Sequence, residues 1–92
     1  MIKSFQHKGL ESFFKTGSKA GIQPVRAKSL QLQLGMLDSA KAAADMGLPG
    51  WKLHPLTGNL QGYWAVSVSG IWRMTFGVDN VDAILVVYQD YH

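Results

Sequence analysis

Apolar positions follow two different periods along the chain, and the change between them divides it. Leu10, Phe13 and Phe14 stand at i, i+3 and i+4, one apolar helical stripe, and Gly17 sits where a left-handed residue ends a short helix. Ahead of them, residues 2–5 form either a short first strand or an entry segment. After a loop over residues 18–22, Pro24 suits a first helical turn, where its missing N–H costs nothing. Val25, Leu30, Leu34, Leu37 and Ala44 then recur at near-helical spacing until Gly47 and Pro49 stop the element. The pattern predicts two helices, the second long.

From Trp51 onward the residues are β-branched and aromatic with short polar turns. Residues 51–54 read as a short strand, with His54 held extended by Pro55 after it. Residues 56–61, with Gly58 and Asn59, read as a loop. Residues 63–68 and 71–78 read as strands joined across Ser69 and Gly70, a two-residue hairpin, and residues 78–81 turn the chain into a last strand over 83–89. The expected fold class is α+β: one domain over residues 1–92, a small antiparallel sheet with two N-terminal helices packed on one face. Trp64, Val66 and Val68 share one strand face, and Trp72, Met74 and Phe76 share a face of the next, so these sets are the expected core. Arg73 lies between Trp72 and Met74 and must point the other way. A guanidinium within an apolar strand is either a solvent-side or ion-paired residue or a phosphate clamp.

Composition narrows the possibilities. Ninety-two residues leave room for one core, and 47% apolar with 16% charged residues supports packing and argues against a disordered tail or a solvated coiled coil. No cysteine is present, which excludes disulfides, thiolate catalysis and cysteine-ligated metals. The longest apolar run, residues 83–88, is far short of the roughly 20 residues of a spanning helix. Lys3, His7, Lys8 and Glu11 interrupt the N-terminus, so neither signal peptide nor membrane anchor is expected, and a cytoplasmic location is. The net charge of +3 is uneven. Up to Lys28 the chain carries Lys3, Lys8, Lys15, Lys19, Arg26 and Lys28 against Glu11, a balance of +5, and the remainder carries −2. The first third is either a contact to phosphate backbone or a solvated, lysine-decorated surface.

Three histidines could do chemistry. His7, in the basic opening segment, reads as a surface residue. His54 ends a short strand two residues from Lys52, on the same side if the segment is extended, and His92 ends the chain after Asp90 and Tyr91. His54, Asp90 and His92 make a possible two-histidine, one-carboxylate metal set. Metal-free cleavage of an RNA phosphodiester is the other combination, since it needs a base for the ribose 2′-hydroxyl, a cation for the phosphorus and an acid for the departing 5′-oxygen. Histidine serves as base or acid near neutrality, arginine holds phosphate bidentately, and tyrosine stacks on a base or donates. That reading requires no cofactor.

These residues stand in a recognisable order. The opening Met1-Ile2-Lys3-Ser4-Phe5, then Lys52-Leu53-His54-Pro55-Leu56, Gly58 and Gly62, Trp72-Arg73-Met74-Thr75-Phe76, and the ending Tyr88-Gln89-Asp90-Tyr91-His92 run the length of the chain. In them the sequence resembles the HigB family of bacterial toxins, within the RelE-like superfamily of ribosome-dependent messenger-RNA endonucleases. The resemblance implies a RelE-like sheet with two helices on one face and a concave RNA-binding surface on the other. It implies that Arg73 contacts the scissile phosphate and that His54, Asp90, Tyr91 and His92 carry transfer chemistry and base positioning, with Lys52 as a further RNA contact. It also implies 2′-hydroxyl attack on mRNA in the ribosomal A site, leaving a 2′,3′-cyclic phosphate, with the basic first third, including Lys3, Lys8, Lys15 and Lys19, facing ribosomal RNA. A co-encoded helix-turn-helix antitoxin of the HigA type is the implied partner.

One position departs from the family. Ser67 stands where many relatives carry a second arginine, which lowers the positive charge of the working face. Tyr88, Asp90 and His92 share one strand alternation and Tyr91 opposes them, so a bend after Gln89 is needed for all three to enter one cleft. The alternative function is a RelE-like module that grips ribosomal RNA or a protein partner without cutting.

Overall fold

A helix leaves its first amides without intrahelical acceptors, and the chain supplies one at His7. In the computed structural model, which describes residues 1–90, the His7 Nδ1 accepts from the Leu10 N–H at 2.9 Å and caps α1 (Lys8–Thr16). His7 is half-buried and its ring lies 4.8 Å from that of Tyr88, so it is a structural cap and not the surface residue expected. Gly17 ends the helix as expected, at φ 80 with its N–H on the Phe13 carbonyl.

The start of α1 meets the following loop backbone to backbone. A methyl on Gly9 would lie 2.1 Å from the Gly21 carbonyl oxygen. Alanine ordinarily favours a helix over glycine, yet here it must push two chain segments apart. Gly9→Ala is expected to destabilise by about 1–3 kcal/mol, a drop of roughly 4–8 °C in Tm per kcal/mol in a thermal melt; an unchanged or raised Tm would show that this contact relaxes freely.

The second helix is shorter than its pattern. A 3₁₀ turn, Pro24–Arg26, leads into α2 (Ala27–Ser39), and a separate 3₁₀ turn, Ala43–Met46, follows. Ala40 is extended, and the Asp45 carboxylate accepts from the Lys41 and Ala42 amides at 2.9 and 3.3 Å, taking the backbone that a longer helix would need. Val25, counted in the apolar stripe, is 84% exposed. Ala27, Leu30, Gln33, Leu34 and Leu37 form the buried face.

Four antiparallel strands follow in the order β1 (His54–Pro55), β2 (Tyr63–Ser69), β3 (Trp72–Asp79) and β4 (Asp82–Asp90). β1 is half the expected length because Lys52 is left-handed, φ 53, and cannot extend the strand backward. Ser69 pairs with Trp72, so the first hairpin turns on Gly70 and Ile71, one residue later than expected, with Gly70 at φ 56. Asn80, at φ 57, turns the second. Val66, Met74 and Phe76 are fully buried against Leu10, Leu30 and Leu34, so the expected face of the sheet does lie under the helices.

Residues 2–5 run parallel to β4 along its outer edge. Ile2 and Phe5 bridge Ala83 and Val86, and the Lys3 N–H reaches the Ala83 carbonyl at 2.8 Å. At that edge β4 bulges: Ile84 opposes Gly77, Val87 opposes Thr75, and Leu85 sits at φ 53 with its N–H on the Ser4 Oγ at 2.9 Å. The extra residue resets the alternation of the strand, so that Ala83, Val86 and Tyr88 are all buried. Among the described residues no helix is long and apolar enough to cross a membrane.

Candidate functional site

Helices cover one face of the sheet, and among the described residues His54 and Arg73 lie on the other. Directly opposed residues of neighbouring strands project to the same side. His54, Ala65, Thr75 and Val87 therefore form one row across all four strands, and Ser67, Arg73 and Gln89 form the next, one two-residue step along. Their neighbours Val66, Met74 and Tyr88 face the helices. Arg73 thus stands opposite the core, as its position between Trp72 and Met74 requires, and is half-buried.

His54 is oriented by backbone. Its Nδ1 lies 2.9 Å from the Lys52 carbonyl oxygen. A carbonyl can only accept, so Nδ1 carries the proton and Nε2 holds the lone pair of the neutral ring. The left-handed turn at Lys52 is what places that carbonyl two residues back within reach, and Lys52 itself is exposed. Beside His54 opens a cleft of about 270 Å³ between the loop carrying Leu56, Thr57 and Leu60 and the sheet residues Ala65, Thr75 and Gln89.

The structure brings His54 and Arg73 to one face, in adjacent rows. β4 runs on to Asp90, whose backbone pairs with Trp72, one register position beyond Gln89. Tyr91, His92 and the Asp90 side chain lie outside the described residues, and with them two members of the alternative metal set. Tyr88 turns toward the helices, where its ring lies 5.4 Å from Trp72 and its hydroxyl accepts from the Gln23 N–H at 3.1 Å. The Arg26 guanidinium covers the same Trp72 ring at 4.7 Å. Together these contacts tie the strand bearing the chain end to the start of α2.

The basic residues of the first third sit elsewhere. Lys8 and Lys15 are exposed on α1, Lys19 is exposed in the loop after it, and Lys3 is exposed on the segment flanking β4. Lys15 pairs with Glu11 at 3.0 Å. α1 packs on the core side, so Lys8, Lys15 and Lys19 belong to the helical layer and are not gathered with His54 and Arg73. Sequence reasoning passed over Thr75 and Gln89. Thr75 shares the alternation of Arg73 on the same strand, a signal sufficient to have found it; Gln89 needed the bulge at Leu85.

A family model described as the RelE-like toxin of type II toxin-antitoxin system HigB matches residues 3–92. The chain is 39% identical over 92 residues to Endoribonuclease HigB of Proteus vulgaris, with the whole of both chains covered.

Proposed function

Because the chain belongs to the HigB-like family of RelE-like toxins of type II toxin-antitoxin systems, we propose that it cuts messenger RNA in the ribosomal A site and so arrests translation. The observation that supports this reading is an oriented imidazole and a guanidinium in adjacent rows of the sheet face opposite the helices. His54 Nε2 takes the proton of the ribose 2′-hydroxyl, and the 2′-oxygen attacks phosphorus. Arg73 binds the phosphate oxygens on which charge grows. The bond from phosphorus to the 5′-oxygen breaks, and an acid from Asp90, Tyr91 or His92 returns a proton to that oxygen. The products are a 2′,3′-cyclic phosphate and a 5′-hydroxyl, formed without a cofactor or metal.

The basic residues of the first third support the ribosomal part of the proposal. Lys3, Lys8, Lys15 and Lys19 lie outside the cleft, where cations serve to dock a polyanionic surface and not to hold the cut strand. Lys52, beside His54, contacts the RNA backbone. In this reading the toxin acts in the cytoplasm, and its antitoxin is of the helix-turn-helix HigA type.

The test compares one mRNA, naked and in a translating bacterial extract, treated with the full chain and with a chain lacking His92. Cleavage is expected only during translation and is expected to fall at least a hundredfold without His92. Equal cutting of naked RNA would make the protein a free ribonuclease, and equal cutting by the truncated chain would remove the terminal residue from the chemistry.

A further inference from the structure

We infer that Gln89 is a specificity-determining residue, its side-chain amide reading the base edge of a nucleotide held in the cleft beside His54. The inference rests on the endonuclease reading above and adds to it the group that chooses where the cut falls. Gln89 is exposed, lines the cleft with His54 and Thr75, and stands directly across from Arg73 in the β3–β4 register. Among the described residues its side chain makes no hydrogen bond, so its donor and acceptor are available to a ligand.

The chemistry of the neighbouring side chains separates the roles. A guanidinium on phosphate positions a strand but carries no sequence information, because every nucleotide has the same phosphate. An amide presents one acceptor and two donors in a plane, which matches the paired groups on a base edge. In single-stranded RNA those edges are free to be read. Ala65 and Val87 offer no hydrogen bond from their side chains, Ser67 is a short hydroxyl, and Thr75 is nearly buried. Gln89 is the long, exposed amide of the two rows that hold His54 and Arg73.

The bulge at Leu85 supplies the orientation. Without the extra residue, the alternation that buries Ala83 would also turn Leu85, Val87 and Gln89 inward; with it, Val86 and Tyr88 are buried and Gln89 is delivered to the cleft. A left-handed leucine is costly backbone, and here it decides which amide meets the substrate.

The experiment maps cut sites across many mRNAs in a translating extract for the unaltered chain and for Gln89→Met, which keeps side-chain length and removes the amide. The preference among bases next to the cut is expected to weaken on the order of tenfold, while cutting continues. Gln89→Glu, an acceptor only, is expected to shift the remaining preference toward the bases that carry an amino donor, guanine, adenine and cytosine, and away from uracil. The same base distribution in either folded variant as in the unaltered chain overturns the inference. If the unaltered chain cuts nothing, the endonuclease reading fails and this inference falls with it.

Discussion

Replacing His54 with alanine is expected to lower the cleavage rate on the order of 10²- to 10⁴-fold, the usual contribution of a positioned general base, while leaving the melting transition nearly unchanged. The ring is half-buried at the end of a two-residue strand, and its backbone pairing with Ala65 does not involve the side chain. What the substitution removes is a nitrogen lone pair aimed by the hydrogen bond to the Lys52 carbonyl. Rates are measured by primer extension on mRNA in a translating extract, beside circular dichroism of both proteins. Activity within tenfold of the unaltered chain, in a folded variant, would remove His54 from the proton-transfer role.

Arg73→Ala carries the second large effect. Loss of one charged donor from a developing oxyanion typically costs on the order of 10²- to 10³-fold, and a lysine at this position is expected to restore only part of it, because an ammonium cannot reproduce the planar two-pronged contact. The strand itself is held by Met74 and Phe76, both fully buried on the opposite face, so folding is expected to survive. The measurement is the same cleavage assay with a thermal melt of each variant. An unfolded Arg73→Ala protein would make the arginine structural, and a folded one with full activity would place the phosphate contact elsewhere.

The half of the fold built on a period of two was readable residue by residue. Trp64, Val66, Met74 and Phe76 alternate cleanly with smaller or polar neighbours, so the buried face and the opposite orientation of Arg73 followed from spacing alone. Departures arose where a distant or unusual backbone contact decided the outcome. Residues 40–44 are mostly alanine and would continue a helix, but the Asp45 carboxylate captures two amides and starts a new turn. Lysine carries no signal for positive φ, so the shortened β1 at Lys52 was not visible. The bulge in β4 lies in the run Ile-Leu-Val-Val, which has no polar alternation to betray a change of face, and it is stabilised by Ser4 from the other end of the chain.

The candidate site divides the same way. His54 and Arg73 come together because strand register is a local consequence of two short hairpins and one loop. Gln89 stands within the terminal motif, yet its place in the cleft depends on the bulge and is not legible in the sequence. The separation of Lys8, Lys15 and Lys19 from that face depends on which side of the sheet the helices choose, a property of the whole core and not of the basic residues themselves.

The most direct test of the central claim is the chemistry of the RNA ends made by the folded protein during translation. The account predicts upstream fragments ending in 2′,3′-cyclic phosphate and downstream fragments beginning with 5′-hydroxyl, at positions in frame with the ribosome, all absent with His54→Ala. Fragments bearing 5′-phosphate, or none at all from folded unaltered protein, would contradict it.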